Sequence, residues 1–308
     1  MGTPEFAVAS LHQLHQSEIE VAAVVSAADK PAGRGRKLSV SAVKQYALEN
    51  NIPVLQPEKL RDPAFIEELE KLNAELFVVV AFRMLPKMVW NLPELGTINL
   101  HASLLPDYRG AAPINWAIIN GEKESGVTTF FINEKIDTGD LLLQEKVSIH
   151  PEANAGDLHD KLMDTGAALL LKTVRGLAAG TLEARPQPMD SSAKEAPKLN
   201  KDNTRIDFNQ STDTVSQIIR GLSPYPAAHT TLHRQGENLL CKIYAVKQVP
   251  GRTDLKPGEL HTDNRSFLHV GCQNGLLEVT ELQLEGKKRM NSKDLLNGFS
   301  FEENDYFG

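Results

Sequence analysis

The chain has 308 residues, enough to bury a sizeable core and, on size alone, to form two domains. Hydrophobic residues make up 41% and charged residues 24%, an ordinary globular balance, and no apolar run approaches the roughly 20 residues a membrane span needs. The formal net charge of -7 gives no long-range attraction to phosphate, so an RNA partner must be met by local basic patches.

The opening Met1-Gly2-Thr3-Pro4-Glu5 lacks the basic and apolar stretches of a secretory signal, and Phe6 stands where a myristoylation site wants Ser or Thr. Ala7 to His15 reads as a short helix, and Val21 to Val25 as a buried strand. Lys30-Pro31-Ala32-Gly33-Arg34-Gly35-Arg36-Lys37 is a basic, glycine-interrupted loop. Leu76 to Phe82 is a continuous run of apolar β-formers, as expected of a central parallel strand covered on both faces. Thr97 to His101 alternates and reads as a strand, with Ile98 and Leu100 entering the core while Asn99 and His101 share the opposite side. Pro113 to Asn120 has Pro near a helix start and Gly121 just past its end; Val127 to Ile132 is a further strand that leads to Asp137.

A long helix is expected from about Ala155 to Ala179, and the stretch from Arg185-Pro186-Gln187-Pro188 through Ala196-Pro197 is polar and Pro-rich, as in a linker. Beyond it, Leu239 to Val249, Ser266 to Gly271 and Leu276 to Leu284 suggest a small β domain. Alternating strands and helices in the first two-thirds argue for an open α/β sheet, whose sites form beyond the carboxyl ends of strands. Cys241 and Cys272 lie far apart and make no zinc or redox spacing, which suits a reducing cytoplasm. His229 and His233 fall in a strand pattern, where side chains four apart stand about 13 Å from each other. His12 and His15 bring no acidic or Cys ligand with them, and neither a metal signature nor a Gly-x-Gly-x-x-Gly fingerprint is found.

The chemistry concentrates in Asn99-Leu100-His101-Ala102-Ser103-Leu104-Leu105-Pro106 and in Asp137-Thr138-Gly139-Asp140. An amide donor beside an imidazole suits a reaction that builds negative charge on a carbonyl oxygen. A carboxylate from Asp137 can fix the imidazole's tautomer and favour its charged form. No nucleophilic Ser or Cys accompanies the set, so the attacking group is expected to belong to a substrate.

These motifs, followed by Arg109-Gly110-Ala111-Ala112-Pro113, resemble the signature of the folate-dependent formyltransferases. Gly2-Thr3-Pro4-Glu5-Phe6, the Lys30–Lys37 segment and Gly286-Lys287-Lys288 resemble more narrowly the members that act on methionyl-tRNA. The resemblance implies an α/β fold: a Rossmann-like open parallel sheet as formyltransferase domain at 1–184, a linker at 185–202 and an OB-like β-barrel at 203–308 that binds tRNA. It implies 10-formyltetrahydrofolate as donor, methionyl initiator tRNA as acceptor, no metal, and a monomer. Asn99, His101 and Asp137 become the catalytic trio. Ser103, Leu104, Leu105 and Pro106, with Phe82, Arg83 and Met84, become the folate pocket, with Gly139 letting the Asp137 loop fold over the ligand. Arg34, Arg36, Lys37, Lys287 and Lys288 become tRNA contacts, with Lys293 near the last two. An amino sugar or a ribonucleotide amine is the alternative acceptor, because the trio serves only the formyl group; a non-catalytic RNA-binding scaffold is a second alternative, one with no need of the trio. Family members normally place an apolar strand before the Gly2-Thr3-Pro4-Glu5-Phe6 turn. The sheet is therefore expected to lack its first central strand, with poor stability or a substitute strand as the outcome.

Overall fold

The computed structural model describes residues 1–32, 37–188, 192–251 and 254–308. It divides into two compact units: residues 1–113, 124–148 and 159–196 form the first, and 114–123, 149–158 and 197–308 the second. Residues 185–196, read from composition as linker, thus belong to the first unit. They are held there by backbone bonds: Arg185 and Leu141 exchange N–H···O contacts of 2.8 and 2.7 Å, and Glu195–Ala196 pairs in parallel with Arg109–Gly110.

The first unit is α/β, but its sheet is mixed. Phe77–Val80 and Thr97–His101 pair in parallel, and Glu124–Phe131 and Leu141–Ser148 then continue antiparallel. Val24–Val25 and Val54–Leu55 form a separate parallel pair. Alternation gives way to burial on both faces, since Thr97, Ile98, Leu100 and His101 are all buried. The helix Glu5–His15 buries Phe6, Ala7, Ser10, Leu11 and Leu14, the three- and four-residue spacing of an apolar stripe, with Glu5 at the positive end of its dipole. The expected strand at 21–25 is paired only at Val24–Val25, and the expected run 76–82 only at Phe77–Val80.

Between those two strands lie Met1 and Gly2. The Met1 amine donates to the Val78 carbonyl at 2.7 Å, Val80 N–H donates to Met1 O, and Gly2 N–H donates to Val25 O, so two residues supply one rung of a strand to both neighbours. Beneath that rung lies a cavity of about 410 Å³, lined by residues that include Ala22, Ala23, Leu76, Phe77 and Ser10. The buried Ser10 hydroxyl has no hydrogen-bond partner among the described residues. Met1–Gly2 thus bridges the two strands by a single rung, while the ladders of Phe77–Val80 and Val24–Val25 are formed with Thr97–Leu100 and Val54–Leu55.

The second unit holds a seven-stranded antiparallel sheet that nearly closes into a barrel. The order runs from Leu260–Thr262 through Leu268–Cys272, Gly275–Leu284, Glu237–Val249 and Ala228–Arg234 to Tyr306–Phe307, the seventh strand Met290–Asn291 pairs with Gly275–Leu284 off this path, and a bridge between Glu259 and Tyr306 brings the two edges together. Its core is formed by alternate residues such as Leu277, Val279 and Leu282, and is covered by the helix Thr212–Leu222 through Val215, Ile219 and Leu222. Ser211 caps that helix by accepting from Thr214 N–H at 3.1 Å. Among the described residues no helix is long and apolar enough to cross a membrane.

Burial pushes the Met1 amine from its ordinary 8.0 down to about 5. Between those values the unfolded chain takes up a proton that the folded chain refuses, so stability is expected to rise as pH rises from about 5 to about 8. Adding five apolar β-forming residues ahead of Met1 should abolish that slope, because the amine leaves the interior. It should also raise stability by at least about 1 kcal/mol, or roughly 2–4 °C in Tm. Thermal melts of both chains across that range check both outcomes; identical melting points would show that the slot accepts no strand.

Candidate active site

Asn99 and His101 stand at the carboxyl end of the strand Thr97–His101, at the end of the sheet where Ala81 to Arg83 also leave their strand. Asn99 is half-buried and His101 is buried at 7% exposure. The His101 Nε2 lies 2.8 Å from the Tyr108 carbonyl, which can only accept, so Nε2 carries a proton. Tyr108 reaches that position with a left-handed backbone, φ 61°. The other ring nitrogen, Nδ1, faces Asp137 Oδ2 at 3.8 Å, an ion-pair distance too long for a direct hydrogen bond. The tautomer is therefore fixed by a backbone carbonyl, and Asp137 acts on the ring as a charge. Asp137 Oδ2 is itself held by the Gly110 N–H at 2.9 Å.

Two glycines make this possible. Gly110 has φ +124°, and a Cβ there would meet the Ala196 carbonyl at 2.5 Å. At Gly139 a Cβ would sit 1.6 Å from the Phe131 carbonyl, so the need for Gly is close approach to the neighbouring strand. That differs from the expectation that Gly139 lets the loop close over a ligand; the left-handed residue of the turn is Asp137 itself, φ 53°.

The segment Ser103–Pro106 also differs in part from its expected role as an apolar wall. Ser103 and Leu105 are 1% and 3% exposed and face inward, while Leu104 and Pro106 keep accessible surface. The Ser103 hydroxyl donates to Asp107 O at 2.6 Å. Thr128 anchors the turn from the adjacent strand: its hydroxyl donates to Ser103 O at 2.6 Å and accepts from Leu105 N–H at 3.2 Å and Gln144 Nε2 at 3.0 Å. Phe82, Arg83 and Met84 lie beyond the strand Phe77–Val80. Arg83 donates to the carbonyls of Pro57 and Glu58 and stacks 5.6 Å from the Phe82 ring, and Met84 is 70% exposed beside a cavity of about 370 Å³ that Lys59 and Arg61 also line.

Of the expected tRNA contacts, Arg34 and Arg36 lie outside the described residues. Lys37 begins the strand Lys37–Ser39, which pairs with Lys30–Ala32 as a hairpin. Lys287 and Lys288 are exposed in a turn of the second unit after the strand Gly275–Leu284, and the Lys287 ammonium lies 6.0 Å from the Phe299 ring. Their neighbour Arg289 is committed to a bidentate pair with Glu281 and stacks on Tyr244. Sequence reasoning missed Tyr108, Gly110, Thr128 and Gln187, of which three act through backbone contacts or in a stretch read as linker. Only Gly110 carried a signal, as part of Arg109-Gly110-Ala111-Ala112-Pro113.

Residues 1–174 match the family model described as Formyl transferase, and 198–300 match Formyl transferase, C-terminal domain. The chain belongs to the formyltransferase family. It is 50% identical to a methionyl-tRNA formyltransferase of Flavobacterium johnsoniae over 303 residues, 98% of this chain and 96% of the relative. A methionyl-tRNA formyltransferase of Bacteroides fragilis is 49% identical over 307 residues, 98% and 95% of the two chains. Among solved structures, a sugar 3N-formyltransferase with dTDP and 5-N-formyl-THF superposes with a TM-score of 0.65 at 20% identity, covering 93% of this chain and 97% of that one. The Helicobacter canadensis N-formyltransferase, in complex with folinic acid and dTDP-3-aminofucose, gives 0.64 at 21% identity, with 90% and 96% covered. At that identity these two show the shared fold alone.

Thr128→Val keeps the shape of a fully buried side chain and strands three polar partners. It is expected to cost about 1–3 kcal/mol, measured by urea unfolding. A cost below about 0.5 kcal/mol would show that the turn at Ser103–Leu105 does not depend on this hydroxyl.

Proposed function

We propose that this chain transfers the formyl group of 10-formyltetrahydrofolate to the α-amino group of methionyl initiator tRNA, in the cytoplasm and as a monomer. The observation that carries the reading is the approach of Asp137 to His101, with Asn99 two residues earlier on the same strand, in a chain about half identical to methionyl-tRNA formyltransferases over nearly its whole length.

The acceptor amine attacks the formyl carbon as free base. An ordinary α-amino group titrates near 7.7–8.0, so a useful neutral fraction exists at neutral pH without a strong base. Asn99 donates from its amide to the oxyanion that forms, which is where such a donor gains strength. With Nε2–H tied to the Tyr108 carbonyl, Nδ1 is the working edge of His101. As the imidazolium it stabilises the same oxygen or delivers a proton to the departing folate nitrogen. A water bonded to the Asp137 carboxylate from the substrate side can carry the amine's proton to it. No covalent enzyme species is required.

On this reading Leu104 and Pro106, with Phe82, Arg83 and Met84, contribute to donor binding, Ser103 and Leu105 support them from beneath, and Gly139 shapes the loop that carries Asp137. Arg34, Arg36 and Lys37 in the first unit and Lys287 and Lys288 in the second contact tRNA phosphates and bases. The last pair suits this role because, among the described residues, neither is spent in an ion pair as Arg289 is.

The deciding assay incubates the chain with 10-formyltetrahydrofolate and methionyl initiator tRNA and looks for N-formylmethionine on the tRNA, with nucleotide-linked amino sugars as the competing acceptor. His101→Ala is expected to lower kcat about 10²–10⁴-fold and Asn99→Ala about 10²–10³-fold, with unchanged melting curves. Near-parental turnover removes the residue concerned from the mechanism. The double variant Lys287→Ala, Lys288→Ala should raise KM for tRNA and leave KM for the donor alone. The slope of log affinity against log salt should flatten by about 1.4–1.8 if both lysines neutralise phosphates. An unchanged slope assigns both lysines to solvated surface.

A further inference from the structure

Gln187 lies in the polar stretch after the long helix Ala155–Ala178, two residues beyond the point where Arg185 pairs with Leu141. Nothing in its composition distinguishes it there. Its side-chain amide is nevertheless fully engaged. Nε2 donates to the Asp137 carbonyl at 3.0 Å and to the Gly139 carbonyl at 2.8 Å, while Oε1 accepts from Arg109 Nε at 3.2 Å and Nη2 at 2.5 Å. Arg109 Nε also donates to the Asp137 carbonyl, at 3.0 Å.

One amide thus joins two loops. The first, 101–112, carries His101, the Tyr108 carbonyl that fixes its tautomer and the Gly110 N–H that holds Asp137 Oδ2. The second, 133–140, carries Asp137 in a left-handed conformation that a non-glycine residue adopts only when its surroundings hold it there. Without the clamp, the Asp137 carbonyl keeps only Arg109 among these partners, and Arg109 loses the acceptor that orients its guanidinium. The loops are also joined directly, by Arg109 Nε to the Asp137 carbonyl and by the Gly110 N–H to Asp137 Oδ2, and Gln187 braces the first of these links from the side.

We propose that Gln187 is a positioning residue for the formyl transfer: it sets the distance between Asp137 and the Nδ1 edge of His101 without touching either substrate. The inference rests on the reading of Asn99, His101 and Asp137 as the reacting set. A displacement of the order of 1 Å at such a pair costs about 10²-fold in rate, so a loss of about 10- to 100-fold in kcat is expected for Gln187→Ala. KM for donor and acceptor should stay within about twofold, since neither substrate is contacted. Gln187→Glu keeps an acceptor for Arg109, removes both donors and should show the same loss.

The experiment that separates positioning from mere folding is a double-mutant cycle in single-turnover mode, with rates normalised to folded protein. If Gln187 acts through Asp137, Gln187→Ala should cost less than about threefold in an Asp137→Asn background, where there is no carboxylate left to place. An equal multiplicative cost in both backgrounds would overturn the proposal, as would a parental kcat in both Gln187 variants. A second readout needs no substrate: the Cε1–H resonance of His101, followed by NMR in the intact chain, should move in both Gln187 variants, and an unmoved resonance counts against the proposal. If the parent chain forms no N-formylmethionine, the functional reading falls, while the NMR comparison still decides whether Gln187 places Asp137 against His101.

Discussion

The carbonyl of Tyr108 is a small feature with a large consequence. Because it can only accept, it compels His101 to keep a proton on Nε2, which leaves Nδ1 as the edge that faces Asp137. That single bond decides which ring edge faces Asp137, and therefore where a carboxylate has to stand to be of use. It also explains why the supporting cast is made of backbone groups. Tyr108 must adopt a left-handed conformation to aim its carbonyl, Gly110 must approach Ala196 too closely for any side chain, and both demands are met by pairing the turn with the chain at Glu195–Ala196.

The portion of the site that alternation could reveal was legible. Asn99 and His101 share a side because a strand has a period of two, and Ile98 and Leu100 went into the core as their hydrophobicity demanded. The long helix, the strand that ends at Phe131 and the three barrel strands at 237–249, 268–272 and 275–284 were legible for the same reason, as apolar patterning, whereas the short strands Leu260–Thr262, Met290–Asn291 and Tyr306–Phe307 were not. Ser103 and Leu105 misled, because a leucine beside a catalytic residue says nothing about which way it points; here a buried threonine hydroxyl on the next strand turns the backbone and draws both inward. Gly139 was flagged correctly as special and explained wrongly, since backbone freedom and lack of volume leave the same letter in a sequence.

The stretch 185–196 was the least legible. Pro, Ser and charged residues in series describe a segment that does not bury apolar area, and composition alone equates that with a tether. Hydrogen bonding is invisible to such a measure. Among its described residues only Ala196 joins the hydrophobic core, and yet the segment bonds to Leu141, Tyr108, Ala111, Ala112, Asp137 and Gly139. Likewise, the mixed direction of the first unit's sheet followed from pairings that no local pattern encodes, because an antiparallel strand buried on both faces reads the same as a parallel one.

The fastening of the site has an awkward address. The two spans that match family models are 1–174 and 198–300, and the stretch from 185 to 196 falls between them. Anyone who recombines members of this family by joining one matched half to another must choose which parent donates the interval, a choice that looks cosmetic on an alignment of domains. It is not cosmetic here: the interval is a working component of the amino-terminal half, although it borders the carboxy-terminal one. A hybrid whose crossover falls at residue 184 inherits a reactive loop from one ancestor and its brace from the other, whereas a crossover after Ala196 passes both on together.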